Sequence, residues 1–211
     1  MKSVFLCLAV AVLPCAGGSR QASVAPIALY TQFQEAPSAA VREALESELN
    51  AIMEPAGLRF DWRSIGADNS AAATELVVVN FLGRCDVDRL QPLEVMPGAL
   101  GWTHVSDGVV LPFSDIDCTA VRGFLQRDLL ARPPAFREEI YGRALGRVLA
   151  HELYHVLAGT SAHGACGVAK SGFTVVDLMT RGFTFETAAL RVLLESKAHQ
   201  LLERAASGDA P

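Results

Sequence analysis

Two histidines, His151 and His155, lie at helical i, i+4 spacing in an apolar-periodic segment of the second half of the chain. Residues so spaced share one helix face, with Cβ atoms roughly 5–6 Å apart. Both imidazoles can therefore direct a ring nitrogen at one Zn²⁺ ion, at the Zn–N distance of about 2.0–2.1 Å. Glu152 is one step round the helix, where its carboxylate can hold a water bound to that ion rather than ligate it. This HExxH pattern predicts a hydrolytic metal site.

A catalytic zinc usually has three protein ligands and one position for water. His163 is the favoured third ligand, because it follows the predicted helix end, where a turn could return it to the metal. Two carboxylates remain open as alternatives, Asp177 and Glu186, the latter at the start of the last predicted helix. Cys166 is a less favoured ligand, since an exported protein favours imidazole and carboxylate sites over a lone thiolate.

From Leu149 to Thr180 the chain resembles the metzincin branch of the zinc peptidases, whose motif is HExxHxxGxxH followed by a Met-turn. Here the glycine, Gly159, comes one residue late and His163 two residues late. One extra helical residue rotates the helix exit by about 100°, so the following loop must compensate. The segment Asp177–Thr180, which contains Met179, resembles the Met-turn.

The resemblance implies a mixed sheet before the metal helix, an antiparallel edge strand lining a substrate cleft, and a helix at the end. With the HExxH chemistry, we expect one catalytic Zn²⁺ and a peptide or protein substrate. Glu152 would take a proton from the attacking water and pass it to the leaving amine. The expected function is a secreted zinc endopeptidase. A non-catalytic zinc-binding domain of the same type is the alternative, although a structural site has no need of Glu152.

The order of the predicted elements indicates an α+β (α/β/α-like) fold with a mixed, mostly parallel twisted sheet and a small C-terminal helical part. Asp107 and Gly108, between the last two predicted strands, indicate a tight hairpin. The antiparallel edge strand is what the resemblance implies, and Ala99–Phe113 is the candidate for it. The strand–helix–strand start implies a crossover and parallel pairing. The predicted strands are Val24–Phe33, Leu58–Arg63, Glu75–Leu82 (buried on both faces), Ala99–Val105 and Gly108–Phe113; the predicted helices are Ala39–Glu54, Asp117–Leu130, Phe136–Ala158 and Phe185–Arg204.

Two further histidines lie on predicted elements of this fold. His104, on the predicted edge strand, could reach the cleft and stabilise an oxyanion, although a strand histidine is more often structural. His199, on the last predicted helix, is expected to face solvent and is assigned no role.

Composition and charge favour a folded globular protein and disfavour nucleic-acid binding. A chain of 211 residues with 51% hydrophobic and 19% charged residues is typical of a folded globular domain. The formal charge is −5 and no Lys/Arg cluster is present, which disfavours nucleic-acid binding. We expect a single metzincin-like metallopeptidase domain over residues 19–211, as a monomer.

The first residues resemble a secretory signal peptide over residues 1–18, with Lys2, an apolar run Val4–Leu13 and small residues Ala16–Gly18. Less favoured alternatives are a membrane anchor, a buried first helix, or lipidation at Cys15. The expected location is secreted or periplasmic, with no membrane association of the mature form.

Three cysteines follow this segment: Cys85, Cys118 and Cys166. In an oxidising compartment the favoured pair is Cys85–Cys118, which would link the middle of the domain and leave Cys166 unpaired. The sequence alone does not fix this connectivity.

Overall fold

The computed structural model describes residues 27–66, 73–87, 90 and 98–207, so the expected signal peptide lies outside the described residues. The strands are β1 (Ile27–Glu35), β2 (Phe60–Ser64), β3 (Glu75–Arg84), β4 (Gly101–Ser106) and β5 (Val109–Asp117). The helices are α1 (Ala39–Met53), α2 (Cys118–Leu130), α3 (Pro134–Ala158), α4 (Val175–Met179), α5 (Thr187–Leu194) and α6 (Lys197–Ser207). Among the described residues, no helix has both the length and the apolar character needed to cross a membrane.

The five strands form one sheet in the order β2-β1-β3-β5-β4. All neighbours are parallel except β4, which runs antiparallel to β5 at the sheet edge. The two strands are joined by Asp107 and Gly108, both with positive φ (51° and 77°), as a tight Asp-Gly hairpin requires. The predicted α+β class and mixed sheet are therefore confirmed, including the antiparallel edge strand.

Helices α1 and α3 share one hydrophobic core with one face of the sheet. Val77, Val79 and Phe81 of β3 are fully buried in this core. The prediction that β3 is buried on both faces is wrong, because Leu76 on the other face is 49% exposed. The continuous apolar run indicated a central strand, but the side chains alternate between a covered and a partly open face.

The helix that carries the histidine pair is set close against α1 by two glycines on one face. A Cβ at Gly146 would lie 2.8 Å from the carbonyl oxygen of Leu45. A Cβ at Gly142 would overlap the carbonyl oxygen of Val41 and lie 2.7 Å from the Cβ of Ala44. Because these contacts are largely with backbone, α1 would have to move as a unit to accommodate a larger residue.

We therefore expect Gly142→Ala to lower the free energy of unfolding by about 1–3 kcal/mol, although alanine favours helix by up to about 1 kcal/mol. Urea denaturation of the metal-free protein measures this. Gly123→Ala in α2 is the matched control, because a Cβ there meets nothing within 4 Å, and it should be neutral or stabilising. Equal stability changes in the two variants would contradict the close helix contact.

The C-terminal segment forms two helices rather than the single predicted helix Phe185–Arg204. Helix α5 ends at Leu194, and the hydroxyl of Ser196 accepts a hydrogen bond from the backbone N–H of His199 (3.2 Å) to begin α6. A serine at this position competes with helix continuation by capping the next helix. His199 is also not solvent-facing as predicted: its side chain is 16% exposed and lies near Gly57.

The favoured disulfide, Cys85–Cys118, is present and joins the chain just after β3 to the first residue of α2. Both cysteines are buried. Among the cysteines that the structure describes, Cys166 is free and exposed. The connection anchors α2, which packs against α3, to the central strand of the sheet.

Candidate metal centre

Three histidine side chains converge at the C-terminal end of α3. His151 and His155 lie on the last two turns of the helix, and His163 comes from the loop that follows. One ring nitrogen from each lies within 4.8 Å of the others, so the cluster could hold a metal ion. The ring of His163 is centred 5.3 Å from that of His151 and 4.8 Å from that of His155.

The helix end explains how His163 reaches the pair despite the shifted motif. Gly159 adopts the left-handed conformation (φ 61°), which favours glycine, and its N–H donates to the carbonyl oxygens of His155 and Val156. The N–H of Thr160 also bonds back to His155 O (3.1 Å). The chain therefore turns back at the cap, and the extra residues between His155 and His163 form the returning loop.

Hydrogen bonds fix the tautomers of the two helical histidines. Nδ1 of His151 lies 2.8 Å from the carbonyl oxygen of Val168, and Nδ1 of His155 lies 2.8 Å from that of Thr160. Because a carbonyl oxygen only accepts, each Nδ1 must carry the proton, and each Nε2 therefore presents a lone pair. The two Nε2 atoms are 3.1 Å apart, where their lone pairs repel unless a cation lies nearby.

This spacing fits a tetrahedral metal ion. Two nitrogens at about 2.0–2.1 Å from such an ion are about 3.3 Å from each other. Burial lowers the pKa of His151 to about 4 and also lowers the pKa of His155. Both imidazoles are therefore neutral near pH 7, which is the form that binds a metal.

The alternative third ligands are engaged elsewhere. Oδ2 of Asp177 accepts from Nζ of Lys170 (2.6 Å) and caps α4 through the backbone N–H of Thr174 (2.6 Å). Glu186 accepts hydrogen bonds from the N–H of Ala165 and the thiol of Cys166, each at 3.0 Å. The structure thus brings His163 to the histidine pair and holds both carboxylates, with Cys166, in separate contacts.

Glu152 lies beside the histidines, 4% exposed, with its carboxylate facing the sheet edge. Its Oε2 accepts a hydrogen bond from Oγ1 of Thr103 on β4 (2.8 Å). Burial raises the pKa of Glu152 to about 7, although the Thr103 hydrogen bond acts in the opposite direction. A carboxyl group that titrates near neutral pH is suited to taking up and releasing a proton.

Thr103 is a site residue that the sequence did not reveal. Thr103 lies within a predicted strand, but the sheet face on which its side chain lies depends on the pairing of Thr103 with Ser114 across the hairpin. No local pattern predicts which strand residue will face a helix that follows in the chain. A polar residue on the core face of an edge strand is the one signal that could have singled it out.

The histidines and Glu152 open onto a cleft of about 270 Å³. One wall of the cleft is β4 with its hairpin partner β5, and the other is the loop after α3. An antiparallel edge strand therefore lines the cleft, as the resemblance implies. The walls include Gly101, Thr103 and Val105 from β4, Val110 from β5, and Thr160, Ser161 and Ser171 from the loop.

His104 does not take part in this cleft, so the suggested oxyanion role is not supported. Its Nε2 lies 2.6 Å from Oδ2 of Asp115, whose Oδ1 accepts from the side-chain amide of Asn80 (2.9 Å). Successive strand residues point to opposite faces of a sheet, so Thr103 faces α3 and His104 faces away. The contact with Asp115 indicates a structural role for His104.

The segment resembling a Met-turn begins in the short helix α4 and leaves it at Thr180. Two arginines tie α4 to α3. Arg143 donates to the carbonyl oxygen of Met179 (3.1 Å), and the fully buried Arg147 donates to that of Asp177. Arg147 also pairs with Glu48 of α1 (2.6 Å). These contacts fix α4 against the helix one turn before His151, while the assignment of Met179 to a Met-turn remains a prediction.

Comparison with known proteins does not assign the chain to a family. No family model matches the sequence, and no curated protein matches it. The inference of a function therefore has to start from the site itself.

Proposed function

We propose that this protein is a zinc-dependent endopeptidase of metzincin-like design, with His151, His155 and His163 as metal ligands and Glu152 as the proton-transfer residue. The observation that carries this proposal is the pair of Nε2 atoms 3.1 Å apart, next to a buried carboxylate in an open cleft. Metal ligands need unprotonated nitrogens directed at one point, and hydrolysis needs a base close to that point.

Zinc is the favoured ion because of the donor set together with the HExxH resemblance. Three imidazoles suit zinc, copper, iron or nickel, and a three-histidine site with one open position is a known catalytic zinc arrangement. The HExxH resemblance favours zinc among these. When bound, the ion would polarise a substrate carbonyl and make a water molecule acidic enough to lose a proton near pH 7.

The roles of the chain's own residues follow from their positions. Glu152 takes the proton from the attacking water and later delivers it to the nitrogen of the leaving amine. Carbonyl oxygens of Val168 and Thr160 hold His151 and His155 in their ligating orientation. Strand β4 is the sheet edge beside the cleft, so an extended peptide can pair with its outer edge and pass across the site.

The proposed site of action is outside the cytosol. The Cys85–Cys118 disulfide supports it, because structural disulfides persist in oxidising compartments. The signal-peptide pattern of residues 1–18 supports it independently.

The test is metal-dependent cleavage of an unfolded protein substrate by the disulfide-intact protein. We expect one zinc per chain, internal cleavage of casein, loss of cleavage after removal of the metal by 1,10-phenanthroline, and recovery on addition of Zn²⁺. Mass spectrometry of the products distinguishes internal from terminal cleavage. A fully zinc-loaded protein that cleaves neither casein nor a mixed peptide library would contradict the proposal and favour a non-catalytic zinc-binding domain.

A further inference from the structure

We propose that Thr103 and Ser114 form a two-hydroxyl relay that positions the carboxylate of Glu152 for proton transfer. This role rests on the proposed function and adds two positioning residues to it. The relay runs from the interior of the sheet to the base on α3.

The number of available protons fixes the direction of the relay. Oγ1 of Thr103 lies 2.8 Å from Oε2 of Glu152, 3.1 Å from the backbone oxygen of Glu152 and 2.9 Å from Oγ of Ser114. When the carboxyl group is ionised, Oε2 and the backbone oxygen of Glu152 can only accept. The single hydroxyl proton of Thr103 therefore points to Glu152. Ser114 must then donate its own proton to Thr103 Oγ1.

The relay is anchored where water cannot readily replace it. Ser114 is 0% exposed and pairs with Val79 of the central strand as well as with Thr103. A buried hydroxyl without a hydrogen-bond partner is destabilising, so burial of Ser114 favours its bond to Thr103. The hydroxyl of Thr103, which lines the cleft, is therefore held from the sheet side by Ser114.

Holding Oε2 leaves Oε1 of Glu152 as the oxygen that exchanges a proton with the substrate and water. A carboxylate without this contact could rotate and present either oxygen or neither at the reacting position. Proton transfer requires hydrogen-bond reach, and small displacements of the base lower the rate steeply. Thr103 therefore acts on the chemical step rather than on substrate binding.

The test compares zinc-loaded variants that differ in single hydroxyl groups. Thr103→Val keeps the side-chain shape and should lower kcat about 10–100-fold with KM and zinc stoichiometry unchanged. Thr103→Ser restores the hydroxyl and should recover most of kcat, while Ser114→Ala should lower it by a smaller factor. Thr31→Val is the matched control, because Thr31 is also a buried strand threonine but donates to the carbonyl oxygen of Arg63.

A second measurement does not depend on turnover. Crystal structures of the zinc-loaded proteins should show one Glu152 carboxylate orientation in the wild type and in Thr103→Ser, and several in Thr103→Val. Wild-type kcat in Thr103→Val, an equal loss in Thr103→Ser, or one unchanged Glu152 orientation in all three would overturn the relay. If Thr103→Val does not fold, Ser114→Ala decides by the same measurements. If the wild type does not hydrolyse peptides at all, the proposed function fails, and the carboxylate orientations still decide the relay.

Discussion

Glu152→Gln should bind zinc as the wild-type protein does and hydrolyse peptides about 10²–10⁴-fold more slowly. Glutamine has the shape of glutamate and can still accept the Thr103 hydrogen bond, but its amide cannot take a proton from water at neutral pH. The loss should therefore appear in kcat, with the zinc content unchanged. Initial-rate kinetics with a quenched fluorescent peptide, alongside metal analysis of the same samples, measure both quantities.

Glu139→Gln is the matched control for this variant, because Glu139 is a carboxylate on the same helix whose side chain is 53% exposed. It should change neither zinc content nor kcat. Glu152→Gln with wild-type kcat would contradict the assignment of the base. Loss of zinc from Glu152→Gln would show that Glu152 supports the metal instead of the chemistry.

The same substitution has a pH signature in the metal-free protein. Burial raises the pKa of Glu152 from 4.5 to about 7, so the wild-type protein loses stability as pH rises through this interval. The amide has no charge to desolvate. Between pH 4 and pH 8 the free energy of unfolding of Glu152→Gln should therefore rise by roughly 2–3 kcal/mol relative to that of the wild type. Urea denaturation at each pH measures it. A constant difference across this range would contradict the buried, perturbed carboxyl group.

His163→Ala should weaken zinc binding by at least about 100-fold, since loss of outer contacts to metal ligands alone lowers affinity by about 10–100-fold. The two carboxylate alternatives provide matched comparisons. Glu186→Gln should keep wild-type zinc affinity. Asp177→Asn should also keep it, while the loss of its capping and Lys170 contacts lowers stability by about 1 kcal/mol. Competition with a chromophoric zinc chelator measures all three affinities.

Wild-type zinc affinity in His163→Ala, together with loss of affinity in either carboxylate variant, would contradict the three-histidine site. That result would identify the carboxylate as the third ligand. It would also require the loop after Gly159 to rearrange when the metal binds, because both carboxylates are held by other groups in this structure.

The features that the sequence predicted correctly are those with a local chemical cause. The i, i+4 histidines lie on a helix because the apolar period of that segment is helical, and the Asp107–Gly108 pair forms the hairpin that its left-handed conformations allow. The parallel start of the sheet followed from strand–helix–strand order.

The features that it missed depend on tertiary contacts. Thr103 faces Glu152 because of a register with Ser114, and the exposure of Leu76 depends on which sheet face the helices cover. The break between α5 and α6 depends on one serine that caps instead of continuing the helix. Sequence periodicity reports which residues prefer burial, but not which partner will bury them.

The most direct measurement is zinc-edge anomalous diffraction from crystals of the purified, zinc-loaded protein. The proposed site predicts one anomalous peak at about 2.0–2.1 Å from Nε2 of His151, Nε2 of His155 and a ring nitrogen of His163, with the fourth position open to water beside Glu152. A peak ligated by Glu186, Asp177 or Cys166, or a zinc enclosed by four protein ligands, would contradict a catalytic three-histidine zinc site.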